Sequence, residues 1–272
     1  MDSKKIVAVA VVAIVIAAGT AWFAGSHDRG GEPAADRDTL YQAALLQSLM
    51  LGGYDGFITV EELKEHGDIG LGTFDAVNGE MIVLDGVVYQ ALGDGTVIVA
   101  SDDTLVPFST VTFFETDHTV TMGAVTSMDE AKTALTAVVE EKGANQFWMV
   151  KFEGTFDTLT VRSELAQTGE YRPLDEVMKT DQRIYEHSDI AGTVVALYCP
   201  DCMDGLNAPG WHLHFISADR TVGGHVLDLS YSGGPVQYDM TAAFEMVLPD
   251  TDEFNEMDLT AVDDGDVDDV EG

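Results

Sequence analysis

The sequence predicts an α+β fold, a two-lobed α/β arrangement of mixed β-sheets with a few flanking helices, preceded by an N-terminal hydrophobic helix. Three observations carry that expectation. β-rich runs broken by Gly, Asp and Asn recur from residue 71 onward, capped helical segments are few and stand apart from them, and a long uncharged run opens the chain. No internal repeat of fixed period is present.

The opening "MDSKK" leads into "IVAVAVVAIVIAAGTAWFAG", about twenty residues without a charge and long enough to span a bilayer as a helix. Lys4 and Lys5 before it, with acidic residues beyond it, keep the N-terminus inside. Residues 1–25 are therefore expected to anchor an exported protein in the membrane. The small residues of "AAGTAWFAGS" offer a cleaved signal as the alternative. "SHDRGGEPAADRD" reads as a linker over 26–38, and 39–272 as the folded domain.

Within that domain "TLYQAALLQSLMLGG" has helical apolar spacing and ends on a glycine pair. "TVEELKEHG" opens a second helix with Thr59 and Glu62 as a capping box. "EMIVLDGVVYQAL" is two strands around a "DG" turn, and "GTVIVAS" and "STVTFFETDHTVTM" continue the strands. "SMDEAKTALTAVVEEKG" is a helix, with Ser127 and Glu130 at its start and Gly143 past its end. A division between two sheet-based lobes is expected near 127–145. "FWMVKFEG" and "FDTLTVRS" resume as strands, and Pro173 suits the first position of a helix in "RPLDEVMKT". "GTVVALYC", "GWHLHFI", "GGHVLDLSY" and "QYDMTAAFEMVLP" complete a strand-rich second half. The tail, 250–272, is dominated by Asp and Glu and reads as solvated.

Charge excludes whole classes of partner. The chain of 272 residues carries 48 Asp plus Glu against 13 Lys plus Arg, a formal charge of −35. It has nothing with which to neutralise phosphates, so nucleic acid is excluded, and an acidic lipid surface is disfavoured for the same Coulombic reason. Such a surface suits high salt and speaks to solubility, not fold. The two cysteines, Cys199 and Cys202 in "YCPDCMDG", could form a disulfide, a redox pair or half of a zinc site, and an oxidising exterior favours the disulfide.

"GWHLHFISADRTVGGHVLDL" holds three of the seven histidines. Side chains alternate along a strand, so His212 and His214 share one face while Trp211, Leu213 and Phe215 take the other. With "SADR" as the turn, Ile216 pairs with Thr221 and His212 sits opposite His225, about 5 Å away at Cβ. Three imidazoles then converge, as an open catalytic zinc site requires. The bland alternative is three histidines on a polar sheet face. Cupin-type metal proteins also use H-x-H on a strand, but their usual glutamate a few residues later is absent.

Further blocks, in order, extend the pattern: "HGDIGLGTFDAVNGEMIVLDGVVYQ", "VPFSTVTFF" and "TVRSELAQTGEYRPLDEV" precede the histidine block. From about residue 39 to the end the chain resembles the alpha-acetolactate decarboxylase family. The resemblance implies a two-lobed, commonly dimeric zinc enzyme that converts 2-acetolactate to acetoin and carbon dioxide. It implies His212, His214 and His225 as zinc ligands. Glu80, Thr73 and Arg162 are its implied active-site residues, with Glu271 as a carboxylate brought in from the tail, where Glu253 and Glu256 compete for the part. On that reading a zinc-stabilised enediolate forms as carbon dioxide leaves. Arg162 grips the carboxylate or offsets the enediolate charge, and Glu80 or Glu271 delivers the proton. Taken without the resemblance, Glu80 reads equally as a strand-edge carboxylate and Arg162 as a surface ion-pair partner. Thr73 is then a β-favouring residue and Glu271 part of the solvated tail. The competing functions are a cupin-like metal enzyme and a non-catalytic surface metal-binding protein.

Overall fold

The computed structural model describes residues 37–260. The N-terminal hydrophobic run, nearly all of the linker and Glu271 lie outside the described residues. Among the described residues no helix is long and apolar enough to cross a membrane.

Two sheets dominate. The first has the order β15 (Ala243–Val247), β1 (Thr39–Ala43), β8 (Phe108–Thr112), β3 (Ile69–Thr73), β4 (Glu80–Leu84), β5 (Val87–Ala91) and β6 (Val97–Val99). The second runs β11 (Gln182–Cys199), β12 (Gly210–Ser217), β13 (Gly223–Tyr231), β10 (Phe147–Glu164), β14 (Gly234–Thr241) and β9 (His118–Met122), with β11 also pairing β10. A short pair joins β2 (Ile58–Thr59) to β7 (Leu105–Val106). Pairing is antiparallel apart from β1 with β15, which is parallel, so the sheets are mixed as expected. Among the described residues five α-helices accompany them: α1 (Leu46–Met50), α2 (Val60–Lys64), α3 (Met128–Lys142), α4 (Leu174–Asp181) and α5 (Asp252–Glu256).

Local chemistry accounts for most of these elements. The Thr59–Glu62 capping box closes the N-terminus of α2. Ser127 caps α3, whose buried Met128, Ala131, Leu135 and Val139 form one stripe at helical spacing. Asp85 (φ 51) and Gly86 (φ 75) are both left-handed, as a two-residue hairpin between β4 and β5 demands.

Two expectations are corrected. The stretch "TLYQAALLQSLMLGG" is not one helix: Thr39–Ala43 is strand β1, and only Leu46–Met50 is helical. β1 lies between β15 and β8 with Leu40 through Ala43 buried, so both of its faces are covered and no two-residue alternation marks it. The changeover between sheets falls at 113–117, between β8 and β9, ahead of the helix at which a division was expected. β15 then returns to the first sheet, so the chain closes that sheet only after completing the second.

Strand alternation sorts the core into layers. On the second sheet, Trp148, Val150, Phe152, Val194, Ala196, Leu213 and Phe215 pack beneath α3. Their neighbours in sequence, Met149, Val195, Leu197 and Ile216, face Ile69, Leu71, Ile82 and Leu84 of the first sheet. His212 and His214 share a parity with Ile216, so the register directs them into this inter-sheet layer rather than to solvent.

One glycine fixes how closely two strands approach there. Gly224 has φ 149, and a Cβ on it would lie 2.4 Å from the Arg162 carbonyl oxygen. Gly224→Ala should therefore force β13 away from β10 and destabilise the fold by about 1–3 kcal/mol. Urea denaturation of the purified variant, with an unchanged midpoint, would refute that close contact.

Candidate active site

Three histidines meet between the sheets. His214 pairs with His225 across β12 and β13, and Arg162 of β10 pairs with His225 on the other side. His212, His214 and His225 are 8%, 0% and 1% exposed. His212 Nε2 lies 2.9 Å from His214 Nε2 and 3.0 Å from His225 Nδ1.

The register differs from the expected one. Ser217 N donates to the Val222 carbonyl at 2.8 Å, so the turn closes one residue later than "SADR". Ser217 stabilises this turn through its hydroxyl, which accepts from the backbone N–H groups of Thr221 and Val222 and donates to Asp219. His214, not His212, is therefore the residue opposite His225. The slip is by two residues, and an even slip leaves every side chain on its face. The imidazoles converge all the same.

Further groups approach from both sheets. Thr73 and Glu80 face each other across β3 and β4. Glu80 Oε2 is 3.3 Å from His214 Nε2, and Glu80 Oε1 is 4.0 Å from Arg162 Nε. Thr73 donates its hydroxyl to the Gly79 carbonyl at 2.8 Å, which braces the loop leading to Glu80. Thr73, Glu80, Arg162, His212 and His225 all line one cavity. Leu49 of α1, Leu174 and Met178 of α4, and Val77 and Phe108 form its apolar wall. The structure thus brings together every site residue expected from the sequence except Glu271, which lies outside the described residues.

One residue of the cavity was not anticipated from the sequence. Glu164, 1% exposed, lines the same cavity and places Oε1 3.5 Å from Arg162 Nε. Its signal was present in "TVRSEL": Arg162 and Glu164 are two apart on a strand and so share a face.

A β-bulge aims this end of β10. Thr160 pairs with Asp228 but Val161 pairs with Val226, so Leu227 is an extra residue on β13. Were Leu227 paired in the ladder instead, the partner of Arg162 would be Val226, which belongs to the apolar layer under α3.

The donor set fits a metal ion. The Met81 carbonyl can only accept, so His214 Nδ1, 2.7 Å away, carries the proton of that ring and Nε2 presents a lone pair. That lone pair faces a carboxylate oxygen at 3.3 Å, an arrangement that a cation between or beside the two acceptors would stabilise. Three nitrogens held about 2.0–2.1 Å from one tetrahedral ion lie roughly 3.3 Å apart, and His212 Nε2 is 2.9 and 3.0 Å from its two neighbours here. Burial, then the Arg162 and Lys132 charges, pushes His212 down to about 3. Burial also holds His214 well below the usual imidazole range, with the charge on His212 adding to it. Both rings are thus neutral ligands at neutral pH. The cysteines take no part. Cys199 is a buried free thiol at the end of β11, Cys202 is an exposed one, and the expected disulfide is not formed.

A buried histidine triad able to hold a metal ion, flanked by carboxylates and a guanidinium in an apolar-walled cavity between two sheets, defines an enzyme for a small anionic substrate. A sequence model of alpha-acetolactate decarboxylase matches residues 40–261. The chain belongs to that family of carboxy-lyases. It is 39% identical to the alpha-acetolactate decarboxylase of Methanosarcina mazei over 222 residues, covering 82% of this chain and 76% of the relative. It is 36% identical to that of Brevibacillus brevis over 230 residues, covering 84% and 79%. The fold superposes on the crystal structure of the Bacillus subtilis strain 168 enzyme with a TM-score of 0.82 at 31% identity, covering 86% of this chain and 99% of that one.

The depressed His212 titration sets a pH dependence. The folded protein resists protonation down to about pH 3, whereas the unfolded ring protonates near its ordinary value of 6.5. Stability from the neutral ring is complete above that value and lost as pH falls through the window, by about 1.4 kcal/mol per pH unit for each such imidazole. Metal-free His212→Gln should show a shallower decline than metal-free wild type between these limits. Parallel urea midpoints would refute the assignment.

Proposed function

We propose that this chain is a zinc enzyme that decarboxylates 2-acetolactate to acetoin through an enediolate, with His212, His214 and His225 holding the ion. The observation that carries the reading is the convergence of three buried imidazole nitrogens beside Glu80 and Arg162 in a member of this family. When bound, the ion would supply Lewis acidity toward the hydroxyl and ketone oxygens of the substrate.

The chain's own residues account for the rest. Arg162 binds the substrate carboxylate through its terminal nitrogens, a planar fork suited to two parallel hydrogen bonds. As the carbon–carbon bond breaks, its electron pair passes to the neighbouring ketone, and the fixed positive charge of Arg162 offsets the enediolate that results. Leu49, Phe108, Leu174 and Met178 keep bulk water from that charge. Glu80 is within the cavity to deliver the proton that completes acetoin, and Glu271 is the tail carboxylate that would share this duty. The family resemblance supports a homodimer. The uncharged run in residues 1–25 supports an exported, membrane-anchored enzyme.

The full chain, purified in high salt, is expected to form acetoin above the spontaneous rate and to carry about one zinc per chain. Chelation should abolish activity and zinc should restore it. His214→Ala should retain little metal and lose about 100-fold or more in rate. Metal analysis showing another ion, or full activity after complete chelation, would overturn the zinc assignment.

A further inference from the structure

We propose that Glu164 is a positioning residue that orients Arg162 for the substrate carboxylate; this rests on the reading of Arg162 given above and deepens it. Glu164 and Arg162 share one face of β10 and are 1% and 5% exposed. Arg162 is the one buried Lys or Arg among the described residues. Its closest approaches to carboxylates both run through Nε, 3.5 Å to Glu164 and 4.0 Å to Glu80. Both carboxylates therefore lie on the Nε side of the guanidinium at ion-pair distance rather than in hydrogen bonds, and the charge attraction turns that side toward them while the terminal nitrogens are offered to a ligand in the cavity that Arg162 lines.

Glu80 cannot serve as that anchor alone, because its other oxygen lies against His214 Nε2. Glu164 is the nearer of the two carboxylates, and its backbone is tightly held. Glu164 pairs with Gln182 of β11. Between it and Arg162, Ser163 donates its hydroxyl to the Ala91 carbonyl of β5 at 2.5 Å. A Cβ on Gly93 would meet the Glu164 carbonyl oxygen at 2.5 Å, so β10 has no room to shift on that side. A long, rotamer-rich cation is thus held in one orientation before substrate arrives, which removes an ordering cost from binding.

The test compares wild type with Glu164→Gln, using acetoin kinetics and calorimetric binding of 2-hydroxy-2-methylpropanoate, a carboxylate probe that lacks the ketone. Glu164→Gln is expected to raise KM and the probe's Kd about tenfold each, with kcat falling no more than about threefold. Glu164→Asp, which retracts the carboxylate by one methylene, should fall between the two and keeps the test available if the glutamine variant folds poorly. In an Arg162→Lys background the Glu164→Gln effect on probe binding should shrink to within about twofold. A merely structural residue would lower the melting temperature while leaving KM and Kd of the folded fraction unchanged, and that result overturns the proposal. So does an undiminished effect of Glu164→Gln in the Arg162→Lys background. Wild type that makes acetoin but whose probe binding is indifferent to Arg162→Lys overturns the reading of Arg162, and this inference with it.

Discussion

The hydrogen bond from His214 Nδ1 to the Met81 carbonyl, 2.7 Å long, is the contact on which the site depends. It crosses from the second sheet to the first, from β12 to the strand that begins with Glu80. It fixes the tautomer of a fully buried ring and so decides which nitrogen is offered to an ion. It also ties the histidines to the strand that carries the carboxylate, so the spacing of the metal ligands and of Glu80 is set by how the two sheets pack. The apolar layer of Leu71, Ile82, Val195, Leu197 and Ile216 around it determines that packing. Burying polar groups in such a layer is costly unless each is matched, and here carboxylate oxygens lie 3.3 Å from His214 Nε2 and 3.5 and 4.0 Å from Arg162 Nε.

The distribution of acid follows the same logic. Among the described residues the chain buries only three of its many carboxylates: Glu80, Glu164 and Asp239. Asp239 sits on β14 away from the cavity, and burial pushes its carboxyl up to about 7. The other two flank Arg162. A surface already crowded with acid has every Coulombic reason to keep its carboxylates in water. Two of them retained in an apolar-walled cavity, around the single buried cation, therefore mark chemistry rather than solubility.

Much of this was legible in the sequence, for reasons that differ by element. α2 and α3 were readable because capping chemistry is local, and the β4–β5 hairpin because its "DG" turn is. The histidine face was readable because alternation along a strand depends on parity alone, which is why an error of two residues in the turn did no harm. β1 was misread because a strand buried on both faces lacks the two-residue period, and its apolar residues happen to fit a helix. The changeover between sheets was misplaced because the pairing of β15 with β1 joins residues about two hundred apart, and no local signal records it. Glu164 was overlooked because a strand glutamate is ordinarily solvent-facing, and only tertiary packing shows this one buried.

The bulge at Leu227 shows where parity reasoning stops. An even slip in the β12–β13 turn preserves every face, but a single extra residue reverses them all beyond the point of insertion. On one side of Leu227, Val161 and Val226 pair and both pack under α3. One step further, Arg162 and His225 pair and both turn toward the first sheet. The strand thus serves an apolar core and a polar site on opposite faces of consecutive residues, and the bulge brings those faces into phase with β13. Were Leu227 instead drawn into the ladder opposite Val161, Arg162 would pair with Val226 and His225 would fall one residue out of step with β10, so either the core valines or the histidine–arginine pair would have to leave its layer. The geometry of the site is in this sense a property of how one extra residue is accommodated between His225 and Asp228, more than of any single contact within the cavity.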